Sequence, residues 1–226
     1  MMKWSNIQGV VQKLLIVQLF FLLGCQQEER VIVTPPEDAI EKNSELAITM
    51  KRVVTHDGSY DDIVDKGNCY SIDLPYDIVR NGELYTIESA ADYNTILPDD
   101  DIQISFPITV TTHQHQQVLV TSNSALDILS STCTVNDDDI ECIDFSYPIK
   151  IAVFNNETNE MSVEVIEHDS RFYNFMENLE EHTLISITYP IELLRYDSNI
   201  LDATHNEELL QEITQVIDAC DEMDEL

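Results

Sequence analysis

Few residues in this sequence have the type and spacing to do chemistry: five cysteines, one close pair of histidines and two runs of aspartate. Cys25 closes the tetrapeptide Leu22-Leu23-Gly24-Cys25 at the end of an apolar run, Leu14 to Leu23, that only Gln18 interrupts. A cysteine sulfur there can take a covalent diacylglyceryl group, and the tetrapeptide is similar to the lipobox that directs this acylation and the cleavage before the cysteine. The pair His113-Gln114-His115 would put two imidazoles on one face of an extended segment, which could hold a transition metal. No cysteine or carboxylate stands beside it to complete a site, so a hairpin tip with solvated histidines is the preferred reading. The runs Asp99-Asp100-Asp101 and Asp137-Asp138-Asp139 offer oxygen donors that could bind Ca2+. They lack the alternating ligands and the glycine of an EF-hand loop, and solvated acid clusters are the simpler expectation.

Beyond these groups the sequence is poor in catalytic signals. It contains no Gly-x-Ser-x-Gly, no His-Glu-x-x-His, no phosphate loop and no dinucleotide fingerprint. After Cys25 only Gly58, Gly67 and Gly82 remain to let a backbone approach a ligand closely. The expected role is therefore non-catalytic, binding or structural. A calcium-binding structural module and a surface glycan-processing enzyme are the alternatives.

Charge narrows the partners. The chain carries a formal net charge of −32; Lys3 and Lys13 precede Cys25 and no acidic residue does, so cleavage there would leave −34. Such a surface repels nucleic acid and anionic headgroups, which excludes a nucleic-acid partner and limits membrane contact to the lipid. The apolar run is about half the roughly 20 residues a spanning helix needs, and with two lysines before it reads as a lipoprotein signal over residues 1–24. No cofactor is expected besides the covalent lipid on Cys25 and possible Ca2+; a protein or glycan partner stays open.

The elements that must position these groups show internal repetition. Four segments alternate apolar and polar residues around a proline: CYSIDLPYDIV from Cys69, DIQISFPITVT from Asp101, CIDFSYPIKIAV from Cys142 and LISITYPIELL from Leu184. Alternation marks strands buried on one face, and proline marks an edge, a bulge or an unpaired ladder position. Tyr76, Tyr147 and Tyr189 fall on core parity and read as packing. A second strand follows each first one, after a turn such as Asn81-Gly82, and then a helical stretch: weak at Ala90 to Ile96, clearer at Ser124 to Ser131, Ser170 to Glu180 and Asn206 to Ala219. Thr204 and Glu207 read as the capping box of the last.

The fold class is thus α+β: four strand-strand-helix repeats paired into two small tandem domains, each a four-stranded antiparallel sheet with helices on one face. The domains span 69–134 and 140–221, preceded by a tether over 25–44 and an N-terminal helix and linker over 45–68. An even number of cysteines after Cys25 allows three connectivities. The repeats favour Cys69–Cys133 and Cys142–Cys220, each closing one domain, over a Cys133–Cys142 rival.

The stretches MKRVVTHDGSYDDIVDKGNCYSIDLPYDI, ISFPITV, DDDIECIDFSYPI, ITYPIEL and ELLQEITQVIDAC resemble a group of uncharacterised lipoproteins of Flavobacteriia and related Bacteroidota, over most of residues 45 to 221. The resemblance implies lineage and export and carries no catalytic residue. In that lineage an acidic stretch after the lipidated cysteine sends lipoproteins to the cell surface, and Gln26-Gln27-Glu28-Glu29 is similar to it. The expected place is the outer membrane, lipid-anchored and facing outward, with a periplasm-facing orientation as the alternative.

Overall fold

Pro75, Pro107, Pro148 and Pro190 each follow a cis peptide bond in the computed structural model, which describes residues 34–133 and 139–217. At each proline the extended run is divided between two sheets, in keeping with the missing ladder donor. In the first half, β2 (Tyr70–Ile72) lies before Pro75, and β3 (Tyr76–Arg80) and β4 (Glu83–Ile87) after it. Next, β5 (Ile102–Ile104) lies before Pro107, and β6 (Ile108–Thr112), β7 (Gln117–Val120) and helix α3 (Asn123–Ser130) follow. The short pre-proline strands are exchanged: β2 pairs with β6, and β5 with β3, giving antiparallel sheets β4-β3-β5 and β2-β6-β7.

The second half repeats the exchange. Strand β8 (Ile143–Phe145) pairs with β12 (Ile191–Arg195), and β11 (Thr183–Ile187) with β9 (Ile149–Asn155). Strands β10 (Glu160–Ile166) and β13 (Ile200–Ala203) complete the sheets; helices α4 (Asp169–Glu177) and α5 (Asn206–Thr214) pack on them. The molecule is thus mixed α+β with small tandem antiparallel subdomains, each holding two small sheets where the pairing expectation gave a single sheet of four strands. Tyr147 and Tyr189, beside the cis bonds, donate their hydroxyls to Asp169 and Asn206, the first residues of α4 and α5. They are packing residues with tied-down tips.

Turn chemistry follows residue type. Asn81 and Gly82 both have positive φ, 54° and 86°, as the two-residue hairpin requires. The expected weak helix after β4 is a 3-10 turn, Ala90–Thr95, held by a capping box of Ser89 and Asp92. The capping pair of α5 is shifted by one: His205 is the N-cap, and the Glu208 carboxylate, not that of Glu207, accepts from Thr204 N and Oγ1.

The N-terminal boundaries differ from the expectation. Strand β1 (Ile40–Glu41), placed by the sequence in the tether, pairs with β11, because Ile40 buries its side chain in the second core. Helix α1 (Glu45–Val53) is capped by Ser44, whose side chain accepts from Ala47 N, and buries Leu46, Ala47, Met50 and Val53 in that same core. Residues 59–65, read as linker, form a 3-10 turn (Ser59–Asp61) and a short helix α2 (Asp62–Asp65) whose Val64 joins the first core. Gly58 and Gly67 permit this close packing: a Cβ on Gly58 would lie 2.4 Å from Tyr70 N, and one on Gly67 2.3 Å from the Tyr70 ring.

Cys69 and Cys133 form a disulfide with Cα atoms 5.4 Å apart, which excludes the Cys133–Cys142 pairing. Cys142 is buried and also disulfide-bonded. Its expected partner Cys220 lies outside the described residues, as do Cys25, Asp137, Asp138 and the segment 1–33. Among the described residues no helix is long and apolar enough to cross a membrane.

Candidate functional site

Helix α1 is amphipathic in an informative way. Its apolar face is spent in the second core, while Ile48, Lys51 and Arg52, with Thr55 beyond its end, line a cleft of about 620 Å³. Lys42 and Asn43 also line it, with Tyr173, Met176 and Glu177 of α4 from the second subdomain and the Cys69–Cys133 disulfide, His113 and Thr132 from the first. The two subdomains therefore meet at this cleft.

Its charge opposes that of the chain. Three of the eight described Lys and Arg residues, Lys42, Lys51 and Arg52, line it, against the single carboxylate of Glu177. Lys51 ion-pairs with Glu177, and its ammonium lies 5.1 Å from the centroid of the Tyr173 ring. Burial works against the charge on Lys51, but the hydrogen bond to Glu177 and the nearby Tyr173 outweigh it and raise its pKa. The same pair holds the Glu177 carboxyl below its ordinary range, and burial pushes the Tyr173 phenol up. Lys42 donates to the Leu179 carbonyl. The walls thus combine fixed cations with an aromatic face and apolar stems, which suits recognition of an anionic group on a partly apolar ligand.

The histidine pair does different work from that expected. His115 has a positive φ of 58°, which breaks the extended geometry a shared metal would need. Its Nε2 lies 2.8 Å from the Val54 carbonyl, so that nitrogen carries the proton and donates. Its ring meets His56 at 5.4 Å and Tyr173 at 5.6 Å between centroids. His56 N donates to the His113 carbonyl at 3.0 Å, so the tip of the β6–β7 hairpin is docked against the end of α1 instead of being solvated. Burial, then the neighbouring His115, lowers the pKa of His56.

The aspartate runs also separate. The Asp100 carboxylate accepts from Leu97 N at 2.8 Å and from Asn81 Nδ2 and Arg80 Nε at 2.7 Å each, and these bonds lower its pKa. Asp101 N donates to Asn81 Oδ1, and Asp99 is exposed, so this run is a pinned turn. Asp139 is brought near Asp57 and Glu141, with ligand oxygens all within 4.8 Å, the one such acid group among the described residues. Asp57 Oδ1 accepts from Ser59 N and Oγ, and Ser59 Oγ also reaches Glu141. An all-oxygen set of this kind matches a hard cation in donor type.

Sequence reasoning missed the cleft cations. The available signal was local: Lys42, Lys51 and Arg52 fall within one short stretch of a strongly acidic chain. Their meeting with Tyr173 and His113 is tertiary. No family model matches the chain, and no curated protein or solved structure is detectably similar to it.

Proposed function

We propose that the chain is a lipid-anchored envelope lipoprotein with a non-catalytic binding role, and that the cleft along α1 is where it receives an anionic group of its ligand. Cys25 would carry the lipid, at the outer membrane and facing outward. The observation that carries this reading is the concentration of Lys42, Lys51 and Arg52 in one cleft of a chain with 43 acidic residues. At physiological ionic strength the screening length is about 8 Å, so a small ligand inside the cleft feels the local cations more than the distant acid. A long polyanion would meet the acidic surface and be repelled. The fitting ligand is accordingly small, bearing one or two carboxylate, sulfate or phosphate groups.

Titration calorimetry of the lipidated protein in detergent with glucuronate, a sulfated monosaccharide and inorganic phosphate tests the reading. Saturable binding of at least one of them, lost in Lys42→Glu with Arg52→Glu, is the expected result. Binding that survives this reversal, or no binding to any of the three, would reject the cleft as the site. Protease shaving of intact cells tests the orientation separately: cleavage without permeabilisation is expected.

A further inference from the structure

The first subdomain contains buried charge that the cleft does not use. Asp61 is wholly buried, and Asp65 is only 7% exposed. One oxygen of each is employed: Asp61 Oδ2 accepts from Ile72 N at 2.7 Å, and Asp65 Oδ1 from Gly67 N at 3.1 Å. The other two, Asp61 Oδ1 and Asp65 Oδ2, are buried with no hydrogen-bond partner. Among the described residues neither aspartate forms an ion pair with Lys, Arg or His. Asp62, between them in sequence, is buried as well and adds like charge to both.

A carboxylate oxygen buried without a donor must find a proton or a cation. Protons are the expensive answer. Burial and neighbouring aspartates raise Asp61 to about 8 and Asp65 to about 9. Keeping a proton at pH 7 on a carboxyl whose ordinary pKa is 3.8 weighs roughly a thousandfold against folding, and here it would be kept more than once. A divalent cation neutralises two carboxylates with no proton uptake, and carboxylate oxygens are what a hard cation takes.

We propose that Asp61 and Asp65 hold a hard divalent cation, Ca2+ in class, as a structural ion where the turn and α2 pack against β2. The exposed-side group of Asp57, Asp139 and Glu141 is a different place, half-buried and already sharing a serine hydroxyl. The buried pair has built-in reporters: the phenols of Tyr70, Tyr76 and Tyr93 all feel the charge of both aspartates.

Tb3+ luminescence excited through tyrosine is the direct test, since the single tryptophan, Trp4, precedes Cys25. The intact protein should show one saturable, Ca2+-displaceable site. Asp61→Asn with Asp65→Asn should weaken it at least tenfold, while Asp139→Asn with Glu141→Gln should leave it. Asparagine keeps an acceptor for Ile72 N and Gly67 N. Luminescence that survives the first pair of substitutions would overturn the proposal, as would its loss in the second pair with retention in the first. If the Asp61/Asp65 variant does not fold, the unaltered chain decides: a Tm at pH 7.5 that is higher in Ca2+ than in EGTA supports the site, and equal values refute it.

Discussion

The two subdomains are built by the same strand exchange and stabilised differently. Among the described residues, twenty-five buried apolar residues form the second core and thirteen form the first. The second gains β1 and α1 from the N-terminal segment, and with them Ile40, Leu46, Met50 and Val53. The first gains a turn and a short helix that bring buried aspartates and, of the aliphatics, Val64 alone, and it includes Tyr70, Tyr76 and Tyr93 among its core residues. It also holds the Cys69–Cys133 disulfide, and Cys142 of the second core is disulfide-bonded as well. A half-size core of this kind depends on cross-links and on satisfied polar interiors more than on apolar area.

Breaking the disulfide should expose that dependence most. Cys69→Ser with Cys133→Ser opens a loop of 64 residues, and about 4 kcal/mol of stability should be lost. Calorimetry should then resolve two transitions, with the lower one belonging to the first subdomain. Hydrogen exchange should accelerate in β3 and β6 and stay slow in β9.

Met50→Ala applies the opposite stress. Met50 is fully buried in the second core, and its truncation should cost about 3 kcal/mol. Exchange should then accelerate in β9 and α4, and the first subdomain should be unaffected. Equal acceleration in both halves would show that α1 serves as a shared strut and not as part of the second core.

The buried aspartates sharpen the contrast through pH. Asp61 is raised from 3.8 to about 8 by burial, so in chelator its protonated form contributes stability that is full below pH 3.8 and is lost as pH rises to about 8. Asp61→Asn should flatten that dependence and stabilise the first subdomain in chelator at pH 8 by on the order of 2 kcal/mol. Urea melts across this pH range, followed by tyrosine fluorescence, measure it. The second subdomain, whose core contains no buried aspartate among the described residues, should show a weaker slope, from Asp144, whose pKa is raised by partial burial and then by Asp169.

The smallest effect belongs to surface charge. Arg171 and Glu164 pair at 3.1 Å with both side chains nearly half exposed, and Glu164→Gln should cost less than about 1 kcal/mol. A larger loss in a urea melt would mean that this edge of β10 is more constrained than its exposure implies.

Much of this fold was legible as pattern. Alternation around Pro75, Pro107, Pro148 and Pro190 locates the strands on either side of each proline, and Asn81-Gly82 names its own turn. The division of each run between two sheets was not legible, because pairing partners far apart in sequence leave no periodic trace. Ile40 shows the same limit: two residues beside a charged stretch carry no strand signal until β11 supplies the ladder. The candidate site was hidden for a related reason. His113 and His115 stood out by chemistry, whereas Lys51 acquires meaning only beside Tyr173 and Glu177, which lie on another helix. No sequence signal sets Asp61 and Asp65 apart from the other acids of the chain, and only burial separates them from the rest.

Amide chemical-shift mapping during titration with glucuronate, a sulfated monosaccharide and phosphate reads the proposed anion-binding cleft residue by residue. Saturable shifts confined to Ile48, Lys51, Thr55, His113 and Tyr173 are expected with one of these probes. Shifts absent with all three, or scattered over the β4 and β10 edges while the α1 face stays still, would contradict the proposal.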